Sequence, residues 1–122
     1  MEGYWKFHYE IGATEGDGIA MLHEGELVGG DFEHVWTGTY EEDRPALNAR
    51  IRITPSVSSE EEKIMARDKP RIFSLRGYCT EDFAALEGIA EHCTDQRIAI
   101  TMRKCKGAVK PLAGEPSGKK AA

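Results

Sequence analysis

The strict alternation of side-chain type along residues 4–11 is the feature that most constrains the fold. Every second residue there is aromatic or aliphatic, in the series Trp5, Phe7, Tyr9 and Ile11. Because successive side chains of a strand point to opposite faces, this alternation predicts a β-strand with one buried face. The same pattern returns at Leu47, Ala49, Ile51 and Ile53. A chain with such segments has to pack the apolar faces of several strands against one another.

Further strand patterns recur at intervals of about 8–12 residues, a spacing typical of sandwiches and barrels. They lie at 18–23, 26–30, 35–40, 71–78 and 96–103, and the turn Glu24–Gly25 joins the first two as a hairpin. Residues 84–92 fit a helix or a strand, and their place between strands favours a strand. The sequence therefore predicts an all-β fold: a small antiparallel up-and-down barrel of seven or eight strands, with a sandwich as the other arrangement.

The segments between these strands are predicted to be turns, apart from one short helix or loop. Residues 12–18 are rich in glycine and read as a turn, and residues 41–45 form a charged turn ending at Pro45. Residues 57–67 carry helix formers behind a serine cap. We expect one barrel domain over residues 1–105 and a flexible basic tail over 106–122, which is rich in Gly, Pro, Ser and Lys.

The chain shows no pattern for export or membrane insertion. It contains no run of about 18 apolar residues, and its first residues lack a basic segment followed by an apolar one. The expected compartment is therefore the cytoplasm. Cys79, Cys93 and Cys105 are odd in number and widely spaced, which favours reduced, buried thiols over a disulfide, metal or redox pair.

Acidic residues are concentrated in the first third of the chain. Residues 1–43 hold eleven acids and a single base, Lys6, for a net charge of −10, whereas the remaining residues sum to +5. This surface would repel phosphate and attract a basic protein, unless it is only a solvated face. Arg50 and Arg52 share a polar strand face, where they could neutralise acids or contact an anion. Two arginines are too few to predict nucleic-acid binding.

No motif in the chain predicts catalysis, a cofactor or a metal. Nucleophile-elbow, dinucleotide-binding and phosphate-loop strings are all missing from the sequence. His8 and His23 fall on neighbouring predicted strands and could face each other, but the sequence positions no third ligand. The carboxylates of residues 41–43 have no apolar neighbours to raise a pKa for acid–base work. We therefore expect a protein that is not an enzyme.

One string of glycines and apolar residues carries a family resemblance. Residues 16–31 read Gly-Asp-Gly-Ile-Ala-Met-Leu-His-Glu-Gly-Glu-Leu-Val-Gly-Gly-Asp, followed by Val-Trp-Thr-Gly-Thr-Tyr at 35–40 and an alternating strand from Leu47. Over residues 2–55 the chain resembles the GrlR family, the negative regulators of type III secretion in bacteria. The positions that carry this likeness are Gly25, Gly29, Gly30, Asp31 and Gly38.

The resemblance implies a lipocalin-like (calycin) barrel, commonly a dimer, that binds a transcriptional activator. In that family an exposed turn of four acidic residues is important for activity. The matching positions here are Glu41, Glu42, Asp43 and Arg44, where the arginine replaces the last acid. The resemblance thus points to a non-enzymatic regulator that binds a protein partner through this turn.

An alternative function follows from the aromatic residues on the predicted inner face. A barrel of eight strands can enclose one small ligand. The alternative is therefore a carrier or sensor of a small apolar molecule, held among Trp5, Phe7, Tyr9, Trp36 and Phe73. The volume of the barrel interior decides between a carrier and a packed core. Trp5 and Trp36 are more readily explained as core residues.

Overall fold

The structure is a computed structural model that describes residues 1–56 and 71–106. Within these ranges every regular element is a β-strand. The eight strands are β1 (Gly3–Ile11), β2 (Thr14–His23), β3 (Glu26–Gly30), β4 (His34–Asp43), β5 (Ala46–Pro55), β6 (Arg71–Cys79), β7 (Phe83–Ala90) and β8 (Cys93–Lys104).

The strands form a closed up-and-down barrel. Each strand pairs antiparallel with the next one in the chain, and β8 closes the sheet on β1 between the pairs Trp5↔Lys104 and Ile11↔Ile98. The predicted all-β barrel is confirmed. Closure matters physically because it leaves the barrel without the two free edges of an open sheet, which would otherwise invite pairing with other chains.

The inner face of the barrel is a continuous apolar core, as the alternation predicted. Trp5, Trp36 and Phe73 are fully buried. The ring of Trp36 lies 4.6 Å from that of Phe7 and 5.1 Å from that of Tyr9, measured between centroids. These aromatic contacts link β1 to β4 across the interior. The interpretation of both tryptophans as core residues agrees with this burial.

The predicted turn over residues 12–18 is wrong, because only Gly12 and Ala13 form the turn and β2 already begins at Thr14. The glycines that suggested a turn serve packing instead. A Cβ atom at Gly18 would lie 2.5 Å from the ring of Phe7, and one at Gly16 would lie 2.7 Å from the hydroxyl of Tyr9. Glycine lets these rings lie directly on the backbone of β2.

The ends of β4 and β7 settle two other predictions. The charged turn predicted over residues 41–45 is shorter than expected, because β4 continues to Asp43 and the turn consists of Arg44 and Pro45. The ambiguous segment at 84–92 is a strand over most of its length, β7. The helix or loop predicted at 57–67 lies outside the described residues, as does the predicted tail beyond Lys106.

Among residues 1–56 and 71–106, no helix has the length and apolar character needed to cross a membrane.

Candidate functional site

The barrel interior holds a cavity of about 20 Å³. That volume is close to the space of one water molecule, and far below the roughly 300 Å³ at which pockets begin to hold ligands. Phe7 and Trp36 line the cavity, whereas Trp5, Tyr9 and Phe73 pack elsewhere in the core. The five residues predicted to hold a ligand are thus all buried together, but they enclose no ligand-sized space.

The acidic segment predicted to dock a partner is divided between the two faces of β4. Glu41 and Asp43 are exposed, whereas the side chain of Glu42 points into the barrel end and is 19% exposed. Glu42 accepts hydrogen bonds from the Met1 amine and from Arg44 Nε at 2.9 Å. The amine, followed by Arg44, holds the pKa of Glu42 below its usual value despite partial burial. Glu42 is therefore mostly covered and bonded within the chain, in contrast to its exposed neighbours.

The cysteines do not all share the burial expected of them. Cys79 is buried beside Glu42, and burial raises the pKa of its thiol. Cys93 is exposed and Cys105 is half-buried, so the prediction of buried thiols is wrong for these two. Cys93 opens β8 directly after the β7–β8 turn, where the barrel wall ends. All three thiols are free.

Asp31 of the glycine motif fixes the loop between β3 and β4. Its Oδ1 accepts backbone hydrogen bonds from Glu33 at 2.7 Å and His34 at 2.6 Å. Burial alone would raise the pKa of Asp31, but the backbone hydrogen bonds from Glu33 and His34, together with the Tyr9 hydroxyl, hold it below its usual value. The loop presents Phe32 with 97% of its surface exposed. A large apolar side chain held in water by an ordered loop is a candidate anchor for a partner.

A larger apolar surface covers the outer face of β1–β4. We call it the apolar patch and define it by five residues that are 41–52% exposed, namely Tyr4, Ile19, Met21, Val28 and Val35. The register shows that these residues are contiguous. Met21 lies opposite both Tyr4 and Val28, while Ile19 and Val35 flank Gly30. Direct cross-strand neighbours on one face have Cβ atoms about 4.5–5.5 Å apart, so the patch is one surface.

Acidic residues border the apolar patch along β2 and β3. Glu26 lies two residues before Val28 on the same face, and Asp17 lies two residues before Ile19. Glu2 and Glu24 lie at one end of β2, where Glu2 is bonded to His23 at 2.8 Å. Lys6 is the single lysine or arginine of residues 1–43. The patch is therefore apolar at its centre and negative along β2 and β3, while Lys6 lies opposite Ile19 on the β1 side, next to Arg103.

Sequence reasoning missed this patch although a signal was present. Residues 19–22 read Ile-Ala-Met-Leu without a polar break. In a strand that is buried on one face, such a run has to place alternate apolar side chains in water. Ala20 and Leu22 are buried, while Ile19 and Met21 are exposed. An unbroken apolar run in an otherwise alternating protein thus indicated an apolar outer face.

A group of polar side chains lies near the opposite end of β1 and β2. His8 Nδ1 is 2.9 Å from Asp17 Oδ1, and its Nε2 is 3.3 Å from Glu15 Oε1 and 3.7 Å from Glu10 Oε2. The expectation that His8 could face His23 is wrong. His8 pairs with Asp17, while His23 follows the Gly3↔Leu22 pair at the other end of the hairpin.

Among the described residues, Arg50 pairs with Glu91 in the later part of the chain and with no acid of residues 1–43. Its Nε and Nη2 atoms contact the Glu91 carboxylate at 2.7 and 2.9 Å, and Ser74 Oγ donates to the same carboxylate at 2.7 Å. The Arg50 hydrogen bonds, with that of Ser74, lower the pKa of Glu91 to about 2. This group connects β5, β6 and the residue that follows β7.

We expect acid to remove the contribution of Glu91 to stability at the low pH set by its folded pKa. Because the folded pKa is depressed, the contribution is present above the unfolded value and is lost as pH falls toward about 2. An NMR pH titration should find this low pKa in the wild type and a value raised toward the ordinary ~4.3 in Arg50→Gln, which keeps the hydrogen bond from Ser74. An unchanged Glu91 pKa in Arg50→Gln would contradict the pairing.

No protein-family model matches the chain, and no curated protein matches it. The resemblance to the GrlR family therefore stays a prediction from the motif of residues 16–40. The function has to be argued from the barrel itself.

Proposed function

We propose that this protein is a non-enzymatic binding protein that holds a basic protein partner on the apolar patch and its acidic border. The observation that carries the proposal is the contiguity of five half-exposed apolar side chains across β1–β4. Contiguous exposed apolar surface rimmed by polar residues is typical of protein interaction sites. Scattered single apolar residues would not carry the same weight.

The charge of the border selects the kind of partner. Nucleic acids and anionic lipid surfaces are negative, and the net charge of −10 over residues 1–43 opposes both. A protein surface with an apolar centre and basic residues around it complements the patch in both respects. Charge of this kind accelerates association and selects partners, while burial of the apolar centre supplies most of the affinity.

The protein-binding role is the one predicted from the sequence, but the proposed docking surface is the apolar patch instead of residues 41–44. The predicted docking residues Glu41 and Asp43 are exposed on β4 and extend the acidic surface, whereas Glu42 and Arg44 bind each other. The resemblance to the GrlR family would make the partner a transcriptional activator and the protein a homodimer. The carrier alternative receives no support from a cavity of about 20 Å³, so we do not propose it.

The test is a triple variant that changes the apolar patch and keeps the strands. Ile19→Thr, Met21→Thr and Val28→Thr replace exposed apolar groups by a residue that favours β-structure. We expect a partner captured at low salt to be bound at least about tenfold more weakly by the variant, since loss of anchor residues costs roughly 1–2 kcal/mol or more. The readout is the Kd of the purified pair, together with its salt dependence.

Tyr78→Thr serves as the matched control, because Tyr78 is 51% exposed on β6, away from the patch. It should bind like the wild type. Circular dichroism and Tm should show that both variants fold. Equal affinity of the triple variant and the wild type would refute the docking role of the patch. The protein could instead associate only with its own copies and lose this association in the triple variant. That result would show that the patch binds a second copy of this chain and not a different protein.

A further inference from the structure

Four side chains form a compact square on the outer face of the β1–β2 hairpin. The register places His8 opposite Asp17 and Glu10 opposite Glu15, so two cross-strand pairs lie side by side. One ligand atom each from His8, Glu10 and Glu15 lies within 4.8 Å of the others. The strands bring these atoms together without any loop, so their spacing is set by the barrel wall.

The Glu10–Glu15 pair is unfavourable unless a cation lies near it. Like charges directly opposite each other on neighbouring strands destabilise a sheet. On the other side of β1, Glu10 pairs with Ala99 and His8 with Thr101, neither of which is charged. Among the described residues, no lysine or arginine forms an ion pair with Glu10 or Glu15. The two carboxylates call for a positive charge between them, which His8 supplies through Nε2 when it is protonated and which a metal ion bound at the neutral imidazole would supply in its place.

The orientation of the His8 imidazole also suits the binding of a metal ion. The carboxylate of Asp17 lies 2.9 Å from Nδ1 of His8, which favours a proton on that nitrogen. In the neutral imidazole the remaining nitrogen, Nε2, then carries the lone pair, and it lies 3.3 Å from Glu15 Oε1 and 3.7 Å from Glu10 Oε2. A histidine that binds a metal through one ring nitrogen commonly donates the N–H of its other ring nitrogen to a carboxylate, which fixes the orientation of the ring.

From this geometry we propose that His8, Glu10 and Glu15 bind a divalent transition-metal ion, with Zn²⁺ as the probe, and that Asp17 positions the imidazole. One imidazole nitrogen and two carboxylates suit zinc or manganese better than calcium, which prefers six to eight oxygen ligands. Three protein ligands leave a fourth position of a tetrahedral ion for water or for a side chain of a bound partner. The inference does not depend on the proposed docking function.

The sequence pattern pointed to a second histidine, His23, as the neighbour of His8, and not to Glu10 and Glu15. The pairing of His8 with His23 would have required both residues at the same end of the hairpin. Glu15 reaches His8 only because the turn at Gly12 and Ala13 is two residues long. With the seven-residue turn expected from the sequence, Glu15 would have been part of a loop.

The experiment is a calorimetric titration of the tag-free full chain with ZnCl₂. It uses a Cys93→Ser background, because the exposed thiol of Cys93 could bind zinc by itself. We expect one saturable site, and its loss in His8→Gln or in Glu15→Gln. Asp17→Asn should bind about 10–100-fold more weakly, as expected when the partner that orients a ligand is removed.

His23→Gln is the matched control, because His23 also lies beside two carboxylates, at 2.8 and 3.5 Å, but has only one of them at Nε2. It should bind zinc like the wild type. NMR of the imidazole nitrogens should show zinc at Nε2 of His8. This readout is taken on the wild-type site, so it does not depend on how the variants fold. Absence of saturable binding, or binding that survives His8→Gln, would overturn the proposal.

Discussion

Replacing Trp36 by alanine is expected to lower the free energy of unfolding by about 3–5 kcal/mol, the range for loss of a large buried aromatic side chain. Trp36 is 2% exposed, contacts the rings of Phe7 and Tyr9, and lines the small interior cavity. Alanine would enlarge that cavity and remove the aromatic link between β1 and β4. Urea denaturation of wild type and variant measures the effect.

The expected loss is large compared with the total stability of a domain, which is commonly about 5–15 kcal/mol. We therefore expect a lower urea midpoint and partial unfolding of Trp36→Ala even at moderate temperature. The control is Val28→Thr, because Val28 is 52% exposed and its change should stay within about 0.5 kcal/mol. A Trp36→Ala variant as stable as the wild type would contradict the packed interior and would favour an interior that adapts to the space left by the ring.

Replacing Gly77 by alanine is expected to destabilise the barrel by at least about 3 kcal/mol, at the upper end of the cost of overpacking. A Cβ atom on Gly77 would overlap the backbone carbonyl oxygen of Ala85 on the paired strand β7. Backbone cannot rotate away as a side chain can, so β6 and β7 would have to separate. Gly88 meets the carbonyl of Ser74 in the same way and should respond alike.

Gly12→Ala separates this effect from a general cost of replacing glycine. Gly12 has a positive φ of 61°, and a Cβ atom there would have nothing within 4 Å. Its cost should be the ~1–2 kcal/mol of a left-handed backbone alone. Thermal unfolding of the variants provides the ranking. Equal destabilisation by Gly12→Ala and Gly77→Ala would show that close strand approach does not decide the cost.

The fold could be predicted from the sequence where one physical rule dominated. Alternation over residues 4–11 and 47–54 identified β1 and β5, and the turn at Glu24–Gly25 identified the β2–β3 hairpin. The rule failed where glycine can serve either of two roles, forming a turn or making room for a packed side chain. In residues 12–18 it suggested a turn, but Gly16 and Gly18 make room for the rings of Tyr9 and Phe7, which a single chain segment cannot reveal.

The candidate site was harder to predict, because it depends on register between strands. Glu41, Glu42 and Asp43 look alike in the sequence, yet strand alternation turns Glu42 inward to Arg44 and leaves its neighbours in water. The apolar patch forms only when β1–β4 place Tyr4, Met21 and Val28 side by side. The acidic character of residues 1–43 was visible from composition alone, but the apolar patch on their strands was not.

Site-specific photocrosslinking tests the central claim most directly. A photoreactive amino acid would replace Val28 in the apolar patch in one protein and Tyr78 on the other side of the barrel in a second, in living cells of the native host. We predict that position 28 crosslinks to one basic protein partner, that position 78 does not, and that Ile19→Thr with Met21→Thr abolishes the product. Crosslinking from position 78 alone, or identical products from both positions, would contradict a docking surface on β1–β4.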